Sequence, residues 1–463
     1  MSNKRKEQLK LGALVSSTPG GATHGAWRYP LAEHQRFLEI PYYVEIAQSL
    51  ERGKIDFVFF ADALAIRGES PATLEASLRT GILSAMPDSL LLAAAIAGAT
   101  KHLGLAMTLS TSYQHPFIVA RSLATLDHLS NGRAAWNVVA SHQDSEARNF
   151  GLPQQLDHPA RYGRADEFIE TAFGLWDTWE DDAMIFDHQS NTVIDPKKVH
   201  PLHHHGKHFD VEGPLNIPRP PQGRPVIMQA GSSEEGRKFA ARWAEVIFTA
   251  QPNLEVAKAF YADMKSRLAK FGREESELKI LPGVMIITGE TETIAREKEA
   301  CLLECVDLKL AIILLSAAVG KDLSGYSPDE LAEPILSKLT AIQGSQGQVD
   351  AMVALARKDS LTLGQLARRV AAGRTSAKLV GTGSQVADQL EEWFEAYACD
   401  GFILRSAYNV AGVEDIIRLV IPELRKRGLV RTEYTGKTLR ENLGLKRPER
   451  ATWRRRLVTP KPG

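Results

Sequence analysis

The chain has 463 residues, 44% of them apolar, with 56 basic side chains set against 56 acidic ones. A formal net charge of zero excludes the broad positive field that draws nucleic acid or an anionic membrane surface, so the expected partner is small or neutral. The length allows about three average domains, although one barrel of alternating strands and helices also reaches this size.

Cys301, Cys305 and Cys399 are too few and too unevenly placed for a disulfide framework, which points to a reducing, cytoplasmic compartment. Cys301 and Cys305 are one helical turn apart and read as packing. The basic start "MSNKRKEQLKLGALVSS" runs into a strand with no cleavable apolar region behind it, so secretion is not expected. The apolar runs from Ser89 and Leu308 fall short of the roughly 18 to 20 residues that cross a bilayer. Both read as buried helices.

In chain order the predicted strands are "LKLGALVSS", "DFVFFADAL", "LGLAMTLST", "AAWNVVAS", "PVIMQAGSS", "EVIFTA", "LKILPGVMIITG" and "DGFILRSAY". Helix-patterned segments lie between them, among them "RADEFIETAFGLWDTWE" and "SQVADQLEEWFEAY". Near-continuous apolar strands alternating with helices imply a parallel sheet covered by helices, and eight repeats close it into a (β/α)8 TIM barrel. The spans after the fourth and seventh strands are too long for a barrel repeat. They predict insertions at about 181–222 and 308–375, and the basic, Pro-bounded tail at about 430–463 predicts an arm packed on the barrel or on a neighbouring subunit, all within one unit, 1–463.

Barrel active sites gather at the C-terminal ends of the strands. Polar residues collect there: Ser16, Ser17, Asp62, Thr108, Ser110, Asn137, Ser141, Gln229, Ser232, Ser233, Thr249 and Arg405. Asn137 stands out, because an amide among Trp136, Val138 and Val139 needs a polar partner. In "QAGSSEEGRKF", Gly231 permits a tight turn into a helix whose N–H groups suit a phosphate. Ser232 with Glu235 also spells a capping box, which needs no ligand. "DHPARYGRADEF" offers His158, Arg161, Tyr162 and Arg164, either as phosphate ligands or as a capped helix start. Asp62 suits either a cap or a polar ring edge. "HPLHHHGKHF" matches no zinc spacing, and no metal is expected. The chain has no G-x-S-x-G elbow, Walker sequence or strand-linked G-x-G-x-x-G.

The stretches "GAWRYP", "STSYQHPFIVAR", "LDHLSNGRAAWNVVAS", "HPARYGRADEFIE", "HHGKHFDVEGPLNIPRPPQGRPVIMQAGSSEEGRKFAA" and "LVRTEYTGKTLRENLGL", in this order, resemble the bacterial-luciferase-like flavin monooxygenases. The branch is that of the nitrilotriacetate, EDTA, dibenzothiophene-sulfone and long-chain alkane monooxygenases. The resemblance implies a two-component enzyme that takes reduced FMN from a separate NAD(P)H:flavin reductase and uses O2, through a C4a-(hydro)peroxyflavin, to oxygenate a small organic substrate. It also implies a homodimer or homotetramer. By matching position, Asp62, Thr108, Asn137, His158, Tyr162, Gly231 and Ser232 would contact the flavin, the last four around its phosphate and ribityl chain. His24 would be the catalytic or orienting group, with packing against Trp27 as the structural alternative. Ala140 stands where the family usually carries Thr. Two other readings share the barrel: hydride transfer with a flavin or deazaflavin, and flavin binding without catalysis.

Overall fold

A computed structural model describes residues 5, 7–66, 71–82, 84–231, 233–319, 321–338, 346–372 and 377–457. The eight apolar runs form eight parallel strands: β1 (Lys10–Leu14), β2 (Phe57–Phe60), β3 (Gly104–Ser110), β4 (Ala134–Val139), β5 (Val226–Gln229), β6 (Val246–Thr249), β7 (Lys279–Gly289) and β9 (Gly401–Ser406). Pairing of β1 with β9, from Lys10↔Gly401 to Ala13↔Leu404, closes the ring. An unanticipated strand, β8 (Ala377–Thr382), lies outside it. The first part of β7 pairs with β6 and its middle with β9, while its overhang, Val284–Gly289, carries β8. Full burial is confined to alternate residues of β8, so no apolar run marks it in the sequence.

Side chains alternate across each strand. One set, including Phe57, Phe59, Ala106, Ala135, Val226, Met228, Val246, Leu281 and Ile403, fills the barrel interior. The other set packs against the helices. Gly12 makes room in the interior, since a Cβ there would lie 2.4 Å from the Phe57 ring and 2.7 Å from Ile403. The Leu439, Leu443 and Leu445 side chains of the C-terminal arm join the same interior cluster and plug the N-terminal end of the barrel. Burial of each contributes about 1.5–3 kcal/mol.

That end is also pinned by buried carboxylates. Asp56 accepts from Leu11 N at 2.7 Å, Glu245 from Ile227 N at 3.1 Å and Asp400 from Ile280 N at 2.9 Å, each holding a neighbouring strand. Each has a cation: Arg431 for Asp56, Arg440 for Glu245, and Arg5 with Lys265 for Asp400.

Between β4 and β5, after the helix His158–Trp176, the chain makes two short antiparallel pairs, Met184–Asp187 with Thr192–Ile194 and His204–His205 with Asp210–Val211. The histidines there meet separate carboxylates, His200 with Glu180, His203 with Glu212, His204 with Glu167 and His205 with Asp210. Between β7 and β8, helices from Leu308–Val319 to Leu363–Ala372 enclose a core of their own, built on Leu315, Leu336 and Leu366. No helix among the described residues is long and apolar enough to cross a membrane.

Candidate active site

At the C-terminal mouth buried amide oxygens lack partners among the described residues, whereas at the opposite end the unpartnered buried atoms are guanidinium nitrogens of Arg224, Arg431 and Arg440. Asn137 has the interior parity of Ala135 and is 3% exposed. Its Nδ2 donates to Thr108 Oγ1 at 3.0 Å, and Thr108 Oγ1 donates to Phe60 O at 2.9 Å. Asn137 Oδ1 has no hydrogen-bond partner among the described residues, and neither does Gln229 Oε1 at the end of β5. Unmatched buried acceptors cost stability, so they mark a place where a donor belongs.

Asp62 takes the capping arrangement. Its Oδ1 accepts from Ala63 N at 2.8 Å and its Oδ2 from Ser89 N at 3.0 Å. Burial, opposed by those hydrogen bonds, raises its pKa.

After β4 and β5 the chain brings two helix N-termini together. Asp157 caps the helix His158–Trp176 by accepting from Ala160 N at 2.8 Å. Ser233 caps the helix Glu234–Trp243 by accepting from Gly236 N at 3.1 Å. The capping serine is therefore one residue beyond the Ser232 of the sequence reading, and with Gly236 three positions after it the cap carries no return bond from a glutamate. Ser232 itself lies outside the described residues. Between the two ends, His158 Nε2 is 3.4 Å from Ser233 Oγ, and its Nδ1 is 3.4 Å from Glu235. The Tyr162 ring lies 4.9 Å from that of His158 and 5.8 Å from that of Phe239. Burial pushes the Tyr162 hydroxyl pKa up. A Cβ on Gly231 would stand 2.2 Å from Gln229 Nε2 and 3.0 Å from the Tyr162 hydroxyl. Glycine thus keeps open a cavity of about 170 Å³ lined by Val138, Ala140, Tyr162, Gln229, Gly231 and Phe239. Two converging positive helix ends beside a glycine-lined hollow suit an anion. Arg161 adds a guanidinium that donates to Ser141 O at 2.7 Å and leaves its Nε without a partner among the described residues.

His24 stands apart from this cluster. It is half-buried in the turn before the 3-10 segment Ala26–Arg28. The turn is held against the C-terminal end of the helix Glu292–Glu304, just before the second insertion, where Arg28 donates to Cys305 O at 3.0 Å and a Cβ on Gly25 would lie 2.3 Å from the same oxygen. Trp27 is 49% exposed and lines a groove of about 700 Å³ with Glu75, Arg79 and Lys309. Gln229 and Arg161, named from sequence as a polar strand end and a possible phosphate ligand but not among the flavin contacts, also belong to the mouth. Their strand-end and helix-start positions were visible, whereas the unpaired atoms appear only in three dimensions.

Residues 24–399 match the family model described as "Luciferase-like monooxygenase". Nitrilotriacetate monooxygenase component A of Aminobacter aminovorans is 43% identical over 448 residues, covering 96% of this chain and 98% of the relative. Dibenzothiophene-sulfone monooxygenase of Rhodococcus erythropolis is 41% identical over 452 residues, with 96% and 98% covered. A crystal structure of riboflavin lyase with modified FMN and riboflavin superposes with a TM-score of 0.80 at 33% identity, covering 95% of this chain and 97% of that one. The closed barrel, its open-ended mouth and these matches give one conclusion: the chain is an enzyme of the luciferase-like monooxygenase family.

Proposed function

We propose that this protein is the oxygenase component of a two-component system, the whole chain working as one barrel unit that takes reduced FMN from a separate NAD(P)H:flavin reductase and uses O2 to oxygenate a small organic substrate. The observation that carries the reading is Asn137, a buried amide whose oxygen faces the mouth without a donor among the described residues. A flavin ring edge presents N–H donors, and the hollow at Gly231 between two helix N-termini suits the phosphate at the other end of the cofactor. The residues present therefore fit the group. The word "component" in the name of the 43%-identical relative supports a partner reductase. Three free cysteines suit a reducing cytoplasm.

When bound in reduced form, FMN supplies the two electrons with which one oxygen atom of O2 enters the substrate and the other leaves as water. The chain's own residues do the rest. Thr108 orients the Asn137 amide, which accepts from the ring. Tyr162, His158 and the Ser233 turn hold the phosphate end. His24, in a turn held against the end of the helix Glu292–Glu304, orients substrate or moves a proton. The second insertion, which begins just after the Cys305 contact to that turn, limits access of water.

The test is reconstitution. Purified protein is supplied with FMN, NADH and an unrelated flavin reductase, and a substrate panel is scored for products one oxygen heavier. Product that depends on both reductase and O2 is expected. Binding of reduced FMN with no oxygenated product across the panel would assign the barrel to flavin binding alone.

A further inference from the structure

Among the described residues, well-buried arginines and Lys265 are neutralised in one of two ways. Most meet a carboxylate: Arg440 reaches Glu245 at 2.6 Å, Arg219 reaches Asp177 at 3.2 Å, and Lys265 reaches Asp400 at 3.0 Å. Arg133 makes no ion pair among the described residues. It donates instead to Ser130 O, Thr100 Oγ1, Leu103 O, Ala97 O and Thr100 O, all between 2.6 and 3.1 Å. Arg405 has neither solution. Among the described residues its one hydrogen bond runs from Nη2 to Ala22 O at 3.4 Å, its Nε is shielded from solvent without a partner, and no carboxylate lies within ion-pair distance. Arg405 is partly buried and a guanidinium cannot escape by losing its proton, so its charge has no counter-ion among the described residues.

Its position gives the reason. Ile403, two residues earlier on β9, packs inside the barrel. Alternation then aims Arg405 into the mouth at the C-terminal end of the strand. In the closed ring, β9 is the eighth strand and β4 the fourth, so Arg405 faces Asn137 from the opposite wall. The carbonyl it touches belongs to Ala22, two residues from His24. Two further guanidinium groups at this end make no ion pair among the described residues: Arg161 is committed to the β4 side beside Tyr162, at the phosphate end, and Arg164 donates to Thr111 O at 3.3 Å.

We infer that Arg405 is the substrate-recognition residue, and that the substrate carries a carboxylate held by this guanidinium across the mouth from the flavin ring. The inference rests on the proposed flavin site. A planar guanidinium with free N–H groups matches a carboxylate in two parallel hydrogen bonds. The chain's zero net charge provides no long-range pull, so recognition is local. The same chemistry is offered by the oxyanion of a reduced flavin ring, and the experiment separates the two sources.

The probes are matched acids and primary amides: nitrilotriacetate and its triamide, benzoate and benzamide, octanoate and octanamide. Full-length wild type, Arg405→Gln and Arg405→Lys, each loaded anaerobically with photoreduced FMN, are titrated with every probe by flavin fluorescence. Turnover with the reductase system is then measured for those that bind. In the wild type at least one acid is expected to bind tenfold or more tightly than its amide. Arg405→Gln should weaken that acid about 100-fold, leave the amide unchanged and keep reduced-FMN affinity within twofold, whereas Arg405→Lys should retain part of the preference. Removing an uncompensated, partly buried charge should also leave the melting temperature of ligand-free Arg405→Gln at or above the wild-type value. Four results would overturn the inference: no acid preferred in the wild type, a preference that survives Arg405→Gln, a tenfold loss of reduced-FMN affinity in that variant, or a marked fall in its melting temperature. The third assigns the guanidinium to the flavin and the fourth to a structural role. Wild type that binds no reduced FMN fails at an earlier, separate step and removes the flavin site together with this inference.

Discussion

Asn137 and Thr108 are register partners on β4 and β3, and the amide donates to the hydroxyl at 3.0 Å. The hydroxyl proton is spent on Phe60 O at 2.9 Å. Thr108 Oγ1 can therefore only accept, and the amide is fixed the way round that turns Oδ1 toward the mouth. A strand-to-strand contact that looks like packing thus sets the polarity of the site.

Thr108→Val removes the acceptor that orients Asn137 and the donor to Phe60 O. It should lower stability by about 1–3 kcal/mol and weaken reduced-FMN binding about tenfold. Thr108→Ser keeps both hydrogen bonds and should behave like the wild type. Asn137→Leu removes the orphaned oxygen altogether, so it should match or exceed wild-type stability while losing flavin affinity. Urea unfolding and anaerobic flavin titration read the two quantities separately. Undiminished affinity in Asn137→Leu would remove this amide from the site.

Gly231→Ala tests the other end of the cofactor. The added Cβ meets Gln229 Nε2 at 2.2 Å, the movable end of a side chain, so the fold should tolerate it with a change in melting temperature of a few degrees. The hollow beside Tyr162 should not tolerate it. Reduced FMN is expected to bind at least tenfold more weakly, and riboflavin, which lacks the phosphate, should be affected less. Equal losses for the two flavins would move the phosphate elsewhere.

The barrel strands were legible in the sequence because burial on both faces writes them as continuous apolar runs. β8 was not, because it is buried on one side only and pairs only with the overhang of β7. Asn137 was legible as a misfit among apolar neighbours, yet its partner Thr108 is 29 positions away in sequence. Register between strands is not written locally. The carboxylate of Asp62 reads equally as cap or ligand until the amide of Ser89 is found on it. The leucines of the arm carry no sign of their destination, since the interior they fill is formed by strands hundreds of residues earlier.

Glu245 and Arg440 form a buried pair beneath the barrel, with Arg224 beside them at 3.9 Å. Desolvation raises the Glu245 pKa, but the combined pull of Arg440 and Arg224 outweighs it and the folded pKa falls below the ordinary glutamate value. The unfolded chain then binds more protons in acid than the folded one. The pair's contribution is complete above about pH 4.3 and is lost as pH drops toward the folded pKa. Glu245→Gln strands two guanidinium groups and should cost about 3–5 kcal/mol at pH 7. Its stability, followed by urea unfolding, should fall less steeply than the wild type's below pH 4.3. A variant as stable as the wild type at pH 7 would show that the pair does not hold the arm in place.

His34 governs a separate, higher window. The ring is fully buried, its Nδ1 is 3.4 Å from the Tyr42 hydroxyl, and Nε2 has no partner among the described residues. Burial disfavours the imidazolium and pulls the pKa down to about 4. In the unfolded chain the group titrates near 6.5. Between those values the unfolded state holds a proton that the folded state refuses, so stability is full above about pH 6.5 and declines as pH falls toward 4. The expected loss across that window is about 3 kcal/mol. His34→Gln has no proton to gain, and its urea midpoint should be flatter than the wild type's between pH 6.5 and 4, with the two curves running parallel above pH 7. Identical slopes in the window would mean that His34 takes up its proton without unfolding the loop around it.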